Sequence, residues 1–244
     1  MPRSNRLLIG LILLTACHHR ESAFVALPAD KTHVGFVNNP AQRPLLSILY
    51  YLYYYNGGGV AIGDINNDGL PDLFFTANSK GHNKLYLNKG NFEFEDITEK
   101  AGVAGNADWC TGVTMADVNG DGLLDIYVCA VANIHGLQGK NELYINKGNG
   151  VFTESAAQYG LDFSGFSTQA VFFDYDHDGD LDCYLLNQSS NPNGNVMDTA
   201  GRRTPDHNAG DCLFRNDGGK YTDVSATAGI YRSKLGYGDR KSVV

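Results

Sequence analysis

Asp64-Ile-Asn-Asn-Asp-Gly-Leu-Pro-Asp72 decides the fold, because the same pattern returns twice more along the chain. Asp117 opens DVNGDGLLD and Asp174 opens DYDHDGDLD, so the three starts stand 53 and 57 residues apart (117−64 and 174−117). Each copy reads D-x-[D/N]-x-D-G-x-x-D, with small and apolar residues before it and a short apolar run after it. A regular period of this length marks a repeat architecture, in which a unit buries its apolar faces only against its neighbours.

Oxygen-bearing side chains at alternate positions, closed by a glycine turn, suit a hard cation. Calcium takes six to eight oxygens, more than a single strand can aim at one point. A loop supplies them when its first, third, fifth and ninth side chains turn inward and its seventh residue adds a backbone carbonyl. In the first loop these are Asp64, Asn66, Asp68 and Asp72, with the carbonyl of Leu70. The second offers Asp117, Asn119, Asp121 and Asp125, with the carbonyl of Leu123. The third offers Asp174, Asp176, Asp178 and Asp182, with the carbonyl of Asp180. About three calcium ions are therefore the expected cofactor. The competing reading is a set of acidic Asx-turn hairpins without metal, since Asp, Asn and Gly also dominate ordinary turns. Three in-phase copies favour the cation.

The loops are not EF-hands. That motif needs a glutamate at its twelfth position and flanking helices, whereas Phe75, Val128 and Leu185 stand there. The flanks GVAIG, GVTMA and AVFFD before the loops, and DLFFTA, DIYVCA and DLDCYLL through them, are short and β-rich. Each loop is thus expected to join two antiparallel strands. A second half follows in each repeat: LYLNKG (85–90), LYINKG (143–148) and LFRNDG (213–218), a strand ending at an Asn-x-Gly turn that leads into another strand. Four antiparallel strands per unit describe a β-propeller blade. The predicted fold is all-β, a partial propeller of about three blades at 57–100, 110–156 and 168–226, with the start of a further blade at 233–238.

With 43% hydrophobic and 19% charged residues, the chain of 244 residues is suited to an ordered core, and 29 glycines fit many tight turns. The formal charge of −8 comes with no basic stripe, which disfavours nucleic acid as a partner. Arg3 and Arg6 followed by the apolar Leu7–Leu14 read as a signal segment too short to span a bilayer. It ends in Leu14-Thr15-Ala16-Cys17, which resembles a bacterial lipobox and makes Cys17 the expected lipidation site. On this reading residues 1–16 are removed, the membrane is met only through the lipid anchor, and the protein faces the bacterial envelope, at the outer membrane or cell surface. The residue after the cysteine is His18 rather than aspartate, so inner-membrane retention is not signalled.

Residues 17–56 form a leader with an expected strand at His33–Val37 and a tyrosine-rich run, Leu45–Tyr55. That run reads as a strand and turn packing the start of the array, with a carbohydrate-stacking platform as the sharper alternative. Cys110, Cys129, Cys183 and Cys212 allow three disulfide connectivities, while the apolar strands around Cys129 and Cys183 favour buried free thiols there. The third repeat carries an insertion, 188–211, rich in Asn, Gly, Pro and Ser and holding Arg202, Arg203, Asp206 and His207. The closing DRKSVV (239–244) breaks the pattern and matches one frame of a common sequencing adapter, so it is expected to be non-native and the array to continue.

The segments GVAIGDINNDGLPDLFF (59–75), GVTMADVNGDGLLDIYV (112–128) and AVFFDYDHDGDLDCYLL (170–186) resemble FG-GAP/VCBS repeats, the calcium-bearing units of integrin α-subunit propellers. The run from Tyr54 to Gly238 looks like bacterial lipoproteins that couple such repeats to an ASPIC/UnbV domain, the cartilage acidic protein-like family. This resemblance implies a propeller, an extracytoplasmic location and a role in binding or adhesion, with a protein or glycan as partner. An alternative is a polysaccharide lyase or hydrolase built on the same scaffold. Such an enzyme needs a base or a carboxylate pair against its sugar. The seven histidines are scattered and no GxSxG elbow is present. His207 with Arg202 is the nearest approach to a catalytic pair, and no catalytic residue is assigned.

Overall fold

The computed structural model describes residues 23–40, 43, 46–189 and 205–230. The signal segment with Cys17, most of the insertion with Arg202 and Arg203, the segment 233–238 and the tail 239–244 lie outside the described residues.

Among the described residues, three four-stranded antiparallel sheets follow one another along the chain. The first is β1 (Val60–Gly63), β2 (Asp72–Phe75), β3 (Lys84–Asn88) and β4 (Phe94–Asp96). The second is β5 (Cys110–Ala116), β6 (Asp125–Ala130), β7 (Glu142–Asn146) and β8 (Phe152–Glu154). The third is β9 (Ser167–Phe173), β10 (Asp182–Asn187), β11 (Cys212–Asn216) and β12 (Tyr221–Asp223). Each sheet is a simple meander in chain order, with its acidic loop between the first two strands and its Asn-x-Gly turn between the last two. This is the all-β arrangement of blades expected from the repeat.

Alternation along the strands explains the stacking. In β1, Ala61 turns toward the second sheet while Val60 and Ile62 turn away and are exposed. Ala61, Phe74 and Leu85 meet Val113, Ile126, Val128 and Tyr144 in one apolar cluster between the first two sheets. A second cluster joins Tyr127, Leu143 and Ile145 to Ala170, Cys183, Leu185 and Phe214 of the third. The middle sheet is therefore buried on both faces, and β6 and β7 are buried along their whole length.

Close approach at the inner strands depends on glycine. A Cβ on Gly112 would stand 1.9 Å from Gln169 Oε1 and 2.3 Å from the backbone oxygen of Thr168, across the junction of the second and third sheets. The hydroxyls of Thr111 and Thr114 donate to Ser167 O (2.7 Å) and Ala170 O (2.6 Å) over the same seam. Gly112→Ala is expected to destabilise the fold by about 1–3 kcal/mol through overpacking. Urea unfolding measures this, and an unchanged midpoint would mean that the sheets separate freely at this point.

Two expectations about the leader are corrected. His33–Val37 is not a strand: a short helix, Ala29–Thr32, precedes it and the following residues join no ladder. The reason is position, since the segment lies against the face of the first sheet rather than along its edge. Phe36 stacks on Phe75 with ring centroids 5.0 Å apart, and Asn38 Nδ2 donates to Asn78 Oδ1 (2.7 Å). The tyrosine run is also not a strand but a turn and a 3₁₀ helix, Leu52–Tyr55. Its three-residue period puts Tyr51 and Tyr54 on one side, where both rings contact the buried Trp109. The packing role read from the sequence holds; the backbone state does not.

Cys110, Cys129 and Cys183 are free thiols, and Cys212 is buried with them. Burial pushes the Cys110 thiol up to about 12 and holds Cys129 and Cys183 well above the usual thiol range. They behave as small apolar residues in the two inter-sheet clusters.

Candidate functional site

The acidic loops are built by backbone amides turned onto carboxylates. Asp64 accepts the N–H of Asp68 on Oδ1 (3.1 Å) and of Gly69 on Oδ2 (2.7 Å). Asp117 accepts Asp121 and Gly122 in the same way at 3.0 and 2.8 Å. Asp174 accepts Asp178 and Gly179 at 3.2 and 3.3 Å. The fifth residue repeats the trick two positions on: Asp68, Asp121 and Asp178 accept from Leu70, Leu123 and Asp180. The turn glycine needs the left-handed region, with φ of 85°, 86° and 97° at Gly69, Gly122 and Gly179. These contacts bring the first and fifth residues of each loop onto one bend.

The ninth residue has a second duty that the sequence reading did not assign. Asp72, Asp125 and Asp182 are fully buried. One oxygen of each accepts the N–H of the second loop residue, from Ile65 (3.0 Å), Val118 (3.0 Å) and Tyr175 (2.6 Å). The other accepts the backbone N–H of the asparagine that ends the third strand: Asn88 (2.7 Å), Asn146 (2.8 Å) and Asn216 (2.8 Å). The same asparagines then cap the Asn-x-Gly turn, with Oδ1 accepting from Gly90, Gly148 and Gly219. Each acidic loop is thus bolted to the far hairpin of its own blade. The signal that could have found these partners was present, since an asparagine holds that place in all three repeats.

Electrostatics favour a positive ion here. Burial, helped by Asp121 and Asp117 and opposed by the two amide hydrogen bonds, pushes the Asp125 carboxyl up to about 6. Burial, with Asp68 and Asp64 adding to it, also raises Asp72. In the third loop, desolvation and repulsion from Asp178 and Asp182 raise Asp176, and desolvation together with Asp178 and Asp182 raises Asp180.

The residues fit a calcium ion. One oxygen each of Asp174, Asp176 and Asp182 lies within 4.8 Å of the others, a spacing suited to a shared hard cation. Asp180 Oδ1 is buried with no hydrogen-bond partner, and the donor set of every loop is oxygen alone. In the first two loops the third residue is an amide, whose nitrogen donates to the fifth carboxylate: Asn66 Nδ2 to Asp68 (3.0 Å) and Asn119 Nδ2 to Asp121 (2.9 Å).

The other candidates scatter. Asp206 caps a turn by accepting the N–H groups of Asn208 and Ala209, and the His207 ring lies 5.7 Å from that of Phe163. Arg202, the other half of the pair read with His207, lies outside the described residues.

Three stacked four-stranded meanders, each with an acidic loop bolted to its outer hairpin, define a repeat scaffold of propeller blades. The chain belongs to the FG-GAP-like repeat family, which it matches over residues 64–128 and 129–185. It is 32% identical over 155 residues to cartilage acidic protein 1 of Xenopus tropicalis, a match covering 62% of this chain and 23% of that protein. To cartilage acidic protein 1 of Mus musculus it is 40% identical over 73 residues, covering 30% and 11% respectively. The chain thus spans less than a quarter of the curated relatives it matches. Among solved structures, a lectin of Agrocybe aegerita that recognises non-reducing terminal N-acetylglucosamine aligns at 19% identity. Its TM-score is 0.35, over 67% of this chain and 36% of the lectin, a likeness too slight to bear on ligand or mechanism.

Proposed function

We propose that the protein is a calcium-stabilised propeller scaffold, held in the bacterial envelope by a lipid on Cys17, that binds a protein or glycan partner. The observation that carries the calcium reading is the third loop, where one oxygen each of Asp174, Asp176 and Asp182 converge. Asp64, Asn66, Asp68 and Asp72, with their counterparts in the other loops, would hold the ions, and calcium would supply charge compensation rather than chemistry. The role is structural, because each loop joins the first two strands of its blade and its ninth residue reaches the third. Membership of the FG-GAP-like repeat family supports a rigid scaffold, and loops on such scaffolds are where recognition is placed. The anchor and the outer-membrane or surface location rest on the sequence of residues 1–17.

The third loop should bind calcium tightest, having four carboxylates among its ligand side chains where the others have three. Titrating calcium into variants that each retain one intact loop measures the order. A third site weaker than the other two contradicts the ligand assignment. Binding of the calcium-loaded protein to glycan and protein arrays, lost on chelation, tests the scaffold role; binding indifferent to calcium would separate the ions from recognition.

A further inference from the structure

We infer that Asn67 and Asn146 couple cation binding at the first and second loops and leave the third loop independent. The inference rests on the calcium reading above and concerns residues that are not among the proposed ligands.

Asn67 stands between the proposed ligands Asn66 and Asp68, with its backbone in the left-handed region at φ 58°. Its Nδ2 crosses to the neighbouring blade and donates to Gly122 O at 3.0 Å. Gly122 is the turn residue of the second loop; its own N–H is held by Asp117, and Leu123, the proposed carbonyl ligand, follows it directly. Asn146 makes the second link. Its Nδ2 donates to Ile65 O of the first loop (2.8 Å) and to Leu124 O of the second (3.1 Å). This amide is buried, and the backbone N–H of the same residue is the one held by Asp125. Ordering the first loop around an ion therefore fixes Ile65 O and Asn67, and through them the turn and the closing carboxylate of the second.

The junction of the second and third loops is built differently. Gly120 occupies the place of Asn67 and has no side chain to reach across. Asn216, the counterpart of Asn146, sends its Nδ2 to Leu181 O (3.3 Å), a carbonyl of its own loop. Among the described residues no equivalent hydrogen bond ties these two loops. Because linkage is reciprocal, the first two ions should each favour the other while the third ignores both.

Calcium titrated calorimetrically into the full chain, stripped of metal, reads this coupling. In an Asp178→Asn protein, which cripples the third loop, the second ion should bind about 5-fold tighter than expected for independent sites, the low end of ordinary allosteric coupling. Asn67→Gly in that background keeps the left-handed backbone and removes only the amide, so the cooperativity should fall by about 2-fold or more, the share of one hydrogen bond. Asn146→Asp, which retains the acceptor for Gly148 and loses the donor, should reduce it as well. An Asp68→Asn protein, left with the second and third loops, should titrate as two independent sites. Circular dichroism confirms that each variant is folded. Independent binding in the Asp178→Asn protein, or cooperativity that survives both asparagine variants, overturns the coupling and leaves the calcium reading standing. No calcium binding at any loop overturns both.

Discussion

Stripping calcium with EDTA should lower the midpoint of thermal unfolding of this protein by about 15–30 °C, the largest effect expected of any single change of conditions. A site held at a hundred times its dissociation constant stabilises the fold by about 2.7 kcal/mol, so three sites contribute about 8 kcal/mol. A chain of this size loses about 2–4 °C for each kcal/mol. The structural ground is the number of carboxylates gathered with little compensation. Asp72, Asp125 and Asp182 are fully buried, and burial has already pushed Asp125 up to about 6. The salt bridges among the described residues involve none of the proposed ligands. An ion in each loop removes this repulsion in the folded chain and does nothing for the unfolded one. Melts followed by circular dichroism, with calcium and with EDTA, measure the shift. Equal midpoints, with a folded spectrum in both, would return the loops to plain Asx turns.

Much of this was legible in the chain because a blade is a local object. The acidic loop, the apolar runs on either side and the Asn-x-Gly turn lie within about thirty residues of one another in the first two repeats, so period and spacing reveal the four strands. The stacking of blades was legible as well, since alternation in β1 and β9 leaves Ala61 and Ala170 facing the middle sheet. What could not be read depends on contacts far apart in sequence. The leader joins no ladder because Phe36 finds Phe75 and Asn38 finds Asn78, about forty residues on. The tyrosine run becomes 3₁₀ because two rings three residues apart share Trp109. The ninth aspartate was read as a ligand alone, although an asparagine recurs as Asn88, Asn146 and Asn216, because those residues stand in the far hairpin. The bond from asparagine to aspartate spans 16 to 34 residues, and it closes only when the third strand pairs with the second.

That second duty sets the ninth aspartate apart from the other carboxylates, and it predicts the most damaging single substitution. In EDTA, where no ion contributes, Asp125→Ala should cost about 2–5 kcal/mol, from two buried N–H groups left unpaired at about 1–3 kcal/mol each. Its carboxylate accepts from Val118 at 3.0 Å and Asn146 at 2.8 Å, and alanine leaves both buried N–H groups without a partner. Asp125→Asn keeps one acceptor oxygen and should cost less, about 1.5–3 kcal/mol for one charge-assisted bond. Asp68, by contrast, is exposed and serves only its own loop. Asp68→Ala should then be nearly silent in EDTA, within about 1 kcal/mol, and should weaken the protein only when calcium is restored. Urea unfolding of the three variants with and without calcium separates the roles. Equal costs for Asp125→Ala and Asp68→Ala in EDTA would show that the bolt between loop and hairpin carries no weight of its own. A large gap in EDTA that persists in calcium would mean that the ninth residue acts in the fold before it acts on the ion.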